Sequence, residues 1–265
     1  MAHVLAIANQ KGGVGKTTTT INLGASLAAA EQRTLIVDLD PQGNATSGLG
    51  LDAHAAKASL YGVLLDMAPM GMAINRGVHL PMLDAIPTTV DLAGVEVELP
   101  ETPDWQFRLR NALAGVRDLY DFVLLDCPPS VSVLTLNALT AADGVIAPLQ
   151  PEFYAMEGLA SFTDLIRMVR QHLNPALRLE GIVLTMYDHR LKLARQVTED
   201  ARKHFRGTVF RTVIPRNVTL AEAPSFGKPA LEYSITSAGA QSYLALAQEL
   251  IARVRAAGAT RLAAG

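Results

Sequence analysis

Residues 10–18 read Gln-Lys-Gly-Gly-Val-Gly-Lys-Thr-Thr, set between an apolar run at 3–8 and a small-residue stretch at 19–30. A buried strand, a glycine-rich turn, Gly-Lys-Thr and then a helix is the order that builds a phosphate-binding loop. Glycines let backbone N–H groups turn inward and approach phosphate oxygens closely. A helix opening near Lys16 adds the positive end of its dipole. In this reading the loop residues Lys11, Gly12, Gly13, Val14, Gly15, Lys16, Thr17 and Thr18 hold a nucleotide. Lys16 reaches its β- and γ-phosphates, and the Thr17 hydroxyl ligates Mg²⁺. The usual pattern has glycine five residues before Gly15; this chain has Gln10 there and opens the loop with a second lysine, Lys11.

The rest of the chain alternates. Apolar runs at 4–8, 34–38, 83–86, 122–126, 144–149, 179–185 and 209–214 read as strands. Segments at 16–30, 90–97, 105–119, 133–141, 156–172, 191–205 and 238–254 read as helices. The strand candidates are continuous apolar runs, as a parallel sheet covered on both faces requires. The predicted fold is a doubly wound α/β domain over residues 1–265, with a mostly parallel sheet and helices on both faces. Its ligand is expected at the carboxyl ends of the strands. Asp38, Asp40 and Asp126 stand at such ends, so chain order gathers them with the phosphate loop in one cleft. Asp38 is open to two readings, a backbone anchor for the loop or an indirect Mg²⁺ partner. Asp126 follows Phe-Val-Leu-Leu, where a buried carboxylate needs a cation or a hydrogen-bond network.

A single cysteine, Cys127, in 265 residues excludes a disulfide framework. It also excludes a cluster-carrying reductase that needs two cysteine ligands per subunit. The expected role of Cys127 is packing. No basic leader precedes the first strand, and no apolar run reaches membrane-spanning length. The expected location is cytoplasmic.

The loop Lys11-Gly-Gly-Val-Gly-Lys16-Thr-Thr resembles the deviant phosphate loop of the ParA/MinD family of ATPases. Leu35-Ile-Val-Asp38-Leu-Asp40-Pro-Gln-Gly-Asn44 is similar to the family's second strand and first switch. Phe122-Val-Leu-Leu-Asp126-Cys-Pro-Pro129 is similar to its second acidic strand and second switch. Ile214-Pro-Arg-Asn217 and Glu222-Ala-Pro-Ser225 resemble the Soj-type, chromosome-partitioning branch. The resemblance implies ATP and Mg²⁺ as cofactors, with Thr17, Asp40 and Asp126 around the metal and Asp40 orienting the attacking water. Lys11 would reach across a homodimer to the partner's ATP, so Lys11, Lys16, Asp40 and Asp126 form the implied catalytic set. The adenine is implied beside Pro215, Arg216 and Asn217.

That branch binds non-specific double-stranded DNA and is released by hydrolysis that a ParB-type, centromere-binding partner stimulates. The resemblance thus implies a nucleoid-associated ATPase of chromosome or plasmid segregation. Net charge is −2, yet residues 188–232 carry nine Lys and Arg against five Asp and Glu. Arg190 matches a DNA-binding arginine of the branch, and Lys203 and Lys228 are further candidates. A second family arginine aligns with Thr219. A ParA-like ATPase that positions another cargo, such as a chemotaxis array or microcompartment, shares every motif. A membrane-surface ATPase like MinD is disfavoured, because residues 256–265 lack the bulky apolar anchors of an amphipathic tail. The DNA-binding N-terminal extension of larger plasmid relatives is not expected.

Overall fold

In the computed structural model, which describes residues 2–263 and the side chains up to residue 256, the chain winds around one sheet. The elements are β1 (His3–Ile7), α1 (Lys16–Ala29), β2 (Thr34–Asp38), α2 (Asn44–Gly48), α3 (Leu60–Leu64), β3 (Leu83–Ile86), α4 (Val95–Glu98), α5 (Arg108–Ala114), β4 (Phe122–Asp126), α6 (Val133–Ala141), β5 (Gly144–Leu149), α7 (Ala155–His172), β6 (Arg178–Tyr187), α8 (Lys192–His204), β7 (Val209–Pro215), α9 (Val218–Glu222), α10 (Ala230–Tyr233) and α11 (Ala238–Ala263). The seven strands are ordered β3-β2-β4-β1-β5-β6-β7, and all six pairings are parallel. The expected doubly wound α/β sheet is therefore present, with all seven strand candidates in place.

Continuous apolar runs are buried on both faces because successive side chains point to opposite sides. On one side Val4, Ala6, Leu35, Val37, Val123 and Leu125 pack with residues of α5, α6, α7 and α8. On the other, Leu5, Ile7, Ile36 and Leu124 pack with α1 and α11, including Leu23, Leu27, Tyr243 and Leu246. The connection after β1 runs toward β2, and the connection after β4 runs the other way to β5. This reversal opens a crevice at the carboxyl ends of β1 and β4, where α/β sheets bind ligands.

Two helical expectations were too long. Residues 105–119 split into a 3-10 turn at Trp105–Phe107, α5, and a second 3-10 turn at Arg117–Leu119. Phe107, at φ −103° and ψ 1°, separates the first turn from α5, and Val116, at φ −129° and ψ −13°, separates α5 from the last turn. Residues 90–97 form a 3-10 turn, Val90–Gly94, continued by α4. Gly94 sits at the junction, where helix propensity is lowest.

The edge strand β7 would otherwise offer free backbone groups to another chain. Glu249 of α11 blocks part of it, accepting the Arg211 and Thr212 N–H groups at 2.9 and 3.0 Å. Arg253 donates to the carbonyls of Thr208 and Val209 and lies 4.1 Å from the centre of the Phe210 ring. Phe210 in turn requires Gly181 on β6, since a Cβ there would come within 2.1 Å of the ring. Gly181→Ala is expected to lower unfolding stability by about 1–3 kcal/mol, as overpacked cores do. Urea titration checks this, and an unchanged midpoint would contradict the packing argument.

Candidate functional site

The turn after β1 is built by glycine where no other residue fits without strain. Gly13 and Gly15 have φ of 72° and 88°, in the left-handed region that side chains disfavour. Thr185 on β6 ties the turn to the sheet, its hydroxyl donating to the Val14 carbonyl at 2.8 Å. Asn9 supports it from below, donating to the Pro148 carbonyl and accepting the Lys11 N–H. Lys16, the first residue of α1, is only 7% exposed, and its Nζ donates to the Lys11 carbonyl at 3.2 Å. Burial lowers its pKa, opposed by the neighbouring acidic groups, Asp126 foremost.

Strand register sets the carboxylates. Asp38 on β2 is paired with Asp126 on β4, and Asp126 with Ile7 on β1, where the loop begins. Asp126 is fully buried. Its Oδ1 accepts the Thr20 hydroxyl at 2.8 Å, while Oδ2 is buried without a partner. Burial and then the neighbouring Asp38 push its pKa well above the ordinary carboxylate range, against the Thr20 and Thr17 hydroxyls. Such an oxygen favours a proton, a cation or ordered water beside it.

Asp38 is committed elsewhere. It accepts the Thr46 N–H and hydroxyl at 2.8 and 2.7 Å and the Asp40 N–H at 3.2 Å. It thereby holds α2 and Asp40 in place, a backbone anchor for the segment after β2 rather than for the phosphate loop. Asp40 is 8% exposed, and its Oδ1 accepts the Gln42 N–H.

These residues line a cleft with two lobes. The larger, about 420 Å³, is bounded by Gly12, Gly13, Lys16, Thr17, Asp40, Asn44, Ser47, Pro129 and Pro224, among others. The smaller, about 190 Å³, is bounded mainly by Thr185, Ile214, Pro215, Arg216, Asn217, Leu220 and Tyr243. Gly15, Thr18 and Met186 border both. One lobe carries Lys16, Asp40 and the hydroxyls of Thr17, Thr18 and Ser47; the other is mostly apolar, with Asn217, whose Oδ1 is buried without a partner, in its wall. That pairing suits phosphates in the first and a flat heterocycle in the second.

The structure thus brings together the loop residues, Asp40, and the trio Pro215, Arg216 and Asn217, with Asp126 beneath. Lys11 is half-exposed at the rim, its Nζ 2.7 Å from Glu152. The surface candidates do not form one patch. Arg190 is exposed and pinned to Asp188 at 2.7 Å, which raises the guanidinium pKa and lowers that of the carboxyl. Lys203 lies near the other end of α8, roughly 17 Å along the axis at 1.5 Å per residue, toward the amino ends of the strands. Lys228 is paired with Glu232 at 2.9 Å.

Sequence reasoning passed over Thr20, Thr46, Ser47 and Glu152, and named Asn44 only as the end of the first-switch motif. Glu152 stands three residues past the end of β5, after Gln150 and Pro151, and carries no local signal of its pairing with Lys11. Among the described residues, no helix is long and apolar enough to cross a membrane. Of the tail on which the membrane comparison rests, the side chains beyond residue 256 lie outside the described residues.

A family profile described as an AAA domain matches residues 2–179. The chain is 54% identical over 255 residues to the chromosome partitioning protein ParA of Caulobacter vibrioides, covering 96% of this chain and 95% of that one. It is 53% identical over 255 residues to the chromosome-partitioning ATPase Soj of Thermus thermophilus, covering 96% and 97%. Its fold superposes with a TM-score of 0.83 on a crystal structure of cobyrinic acid a,c-diamide synthase from Mycobacterium smegmatis with bound ATP analogue and magnesium, at 38% identity and 96% coverage of each chain. Phosphate loop, paired acidic strands and near-complete alignment agree: the chain belongs to the ParA/Soj family of chromosome-partitioning proteins, within the ParA/MinD superfamily.

Proposed function

We propose that this protein is an Mg²⁺-dependent partitioning ATPase that binds non-specific DNA as an ATP dimer and leaves it after hydrolysis. The observation that carries the reading is the two-lobed cleft, with Lys16, Thr17 and Asp40 lining the phosphate lobe and an unpartnered Asp126 oxygen beneath it. The donor set fits a magnesium ion held largely by phosphate oxygens and water. Among the described residues no group of three or more His, Cys, Asp or Glu is arranged as a metal cage, and Mg²⁺ rarely uses one. Thr17 would ligate the ion directly, with Asp126 and Asp40 reaching it through water. When bound, Mg²⁺ neutralises charge on the β- and γ-phosphates.

The residues divide the remaining work. The loop N–H groups and Lys16 hold the phosphates in line. Asp40, steadied by Asp38 and Gln42, orients water toward the γ-phosphorus. Pro215, Arg216 and Asn217 wall the base, and Asn217 Oδ1 suits the exocyclic amine of adenine. Lys11 exchanges Glu152 for the phosphates of the partner subunit's ATP. A ParB-type protein is the expected activator, and the nucleoid the expected location. Positioning of another cargo uses the same chemistry; no residue described above favours it over DNA segregation.

DNA binding is expected to be ATP-gated and electrostatic, with Arg190 the leading contact and Lys228 the next; Lys203 would contact a different stretch of the duplex. Each phosphate neutralised contributes about −0.9 to the slope of log affinity against log salt. If Arg190 makes one contact per subunit, Arg190→Ala should flatten the dimer's slope by roughly 1.8 and weaken all sequences alike. Filter binding to unrelated duplexes across salt checks this. Equal affinity with ADP and ATP, or an unchanged slope, would move the DNA surface elsewhere.

A further inference from the structure

His79 takes no part in the site described above, yet its surroundings are built. It precedes β3 in a left-handed conformation, φ 63°, with a side chain only 18% exposed. Its Nε2 lies 3.0 Å from the Leu49 carbonyl, and its Nδ1 pairs with Glu232 Oε2. A carbonyl and a carboxylate are both acceptors, so the imidazole sits where two N–H donors are wanted.

Its two partners belong to functionally distinct segments. Leu49 caps α2, and Asn44 and Ser47 of that helix line the phosphate lobe. Glu232 belongs to α10, and its second oxygen holds Lys228 at 2.9 Å. The same two segments meet again through backbone. Gly50 and Gly227, both at φ 64°, are so close that a Cβ on Gly227 would come within 2.7 Å of the Gly50 Cα. Gly48 touches the region as well, since a Cβ there would meet Ile21 at 2.6 Å and Pro224 at 3.7 Å. Pro224 itself lines the phosphate lobe. A shift of α2 on filling that lobe therefore has a packed, hydrogen-bonded route to the segment carrying Lys228.

We infer that His79 is a positioning residue that couples occupancy of the phosphate lobe, through Leu49 at the end of α2, to the Lys228–Glu232 surface. The DNA consequence of this coupling rests on the function proposed above; the coupling itself does not. His79 grips the end of α2 with one nitrogen and Glu232 with the other. Movement of α2 then changes how Glu232 holds Lys228, and so how freely Lys228 meets a phosphate backbone.

Amide hydrogen exchange separates the two ideas. In the wild-type protein, Mg²⁺ with a non-hydrolysable ATP analogue, compared with Mg²⁺-ADP, should change exchange rates at residues 44–50 and also at 228–233, beyond the segment that touches the lobe and Gly50. In His79→Ala the change at 44–50 should persist, while that at 228–233 should fall at least fivefold. His79→Gln, which retains an amide donor, should restore part of it. A purely structural role would alter exchange at 228–233 equally in both nucleotide states. Persistence of the nucleotide-dependent change at 228–233 in His79→Ala, or its absence from the wild type, would overturn the inference. If His79→Ala fails to fold, Glu232→Ala removes the acceptor from the other side and carries the same expectations for exchange. In parallel, the ratio of DNA affinities with ATP and ADP should drop about tenfold in His79→Ala while basal ATP turnover is kept. Wild-type protein that shows the exchange coupling but binds no DNA would defeat the DNA reading and leave the coupling standing.

Discussion

Lys16→Ala is expected to lose productive ATP binding, with kcat/KM for hydrolysis falling by about 10²–10³-fold or more, the scale of losing a charged donor in an enclosed site. The side chain is 7% exposed, and its ammonium already sits against the loop, donating to the Lys11 carbonyl at 3.2 Å. It is thus pre-placed beside the phosphate lobe and needs little reorganisation to meet a β- or γ-phosphate. Its removal also leaves Asp40 without a counter-charge among the side chains that line the lobe. The loop would then present unfavourable negative potential to a triphosphate. Titration with a fluorescent ATP analogue, alongside phosphate release, checks the prediction. Affinity within threefold of wild type would remove Lys16 from its assigned role.

Asp40→Ala should separate binding from chemistry. The carboxylate is 8% exposed on the wall of the phosphate lobe, and the backbone around it is set by other groups. Asp38 holds the Asp40 N–H at 3.2 Å and Thr46 at 2.7–2.8 Å, and neither contact needs the Asp40 side chain. Removing that side chain should leave ATP affinity within about threefold. Hydrolysis should fall by about 10²–10⁴-fold, the usual contribution of a positioned acid or base. The loss should appear in kcat rather than KM, because it concerns an interaction made in the transition state. Single-turnover hydrolysis tests this, with long-lived ATP complexes as the companion result. Unchanged turnover would shift the water-orienting role to another residue.

What could be read from the chain was local. The seven strands were legible because each is a short apolar run ended by a polar residue or turn, and burial on both faces demands that pattern. The phosphate loop was legible because left-handed glycines and a lysine at fixed spacing serve few other ends. Side-chain partnerships between distant segments left no such trace. Thr20 meets Asp126 across 106 positions of sequence, and Lys11 meets Glu152 across 141. The short α2 was missed because Gly43, left-handed at φ 64°, replaces the polar cap that marks a helix start. Its position is fixed instead by Asp38 and Thr46. The overlong helix at 105–119 reflects good helix formers interrupted by backbone conformations at Phe107 and Val116 that composition does not reveal.

Sedimentation of the wild-type protein and of Lys11→Ala with Mg²⁺-ATP, with Mg²⁺-ADP and without nucleotide, each with and without plasmid DNA, tests the central claim most directly. The account predicts a dimer only for wild type with ATP, co-sedimentation with DNA only in that state, and nucleotide binding without dimerisation for Lys11→Ala. A Lys11→Ala protein that still dimerises with ATP and hydrolyses it normally, or a wild type whose mass and DNA binding ignore the nucleotide, would contradict it.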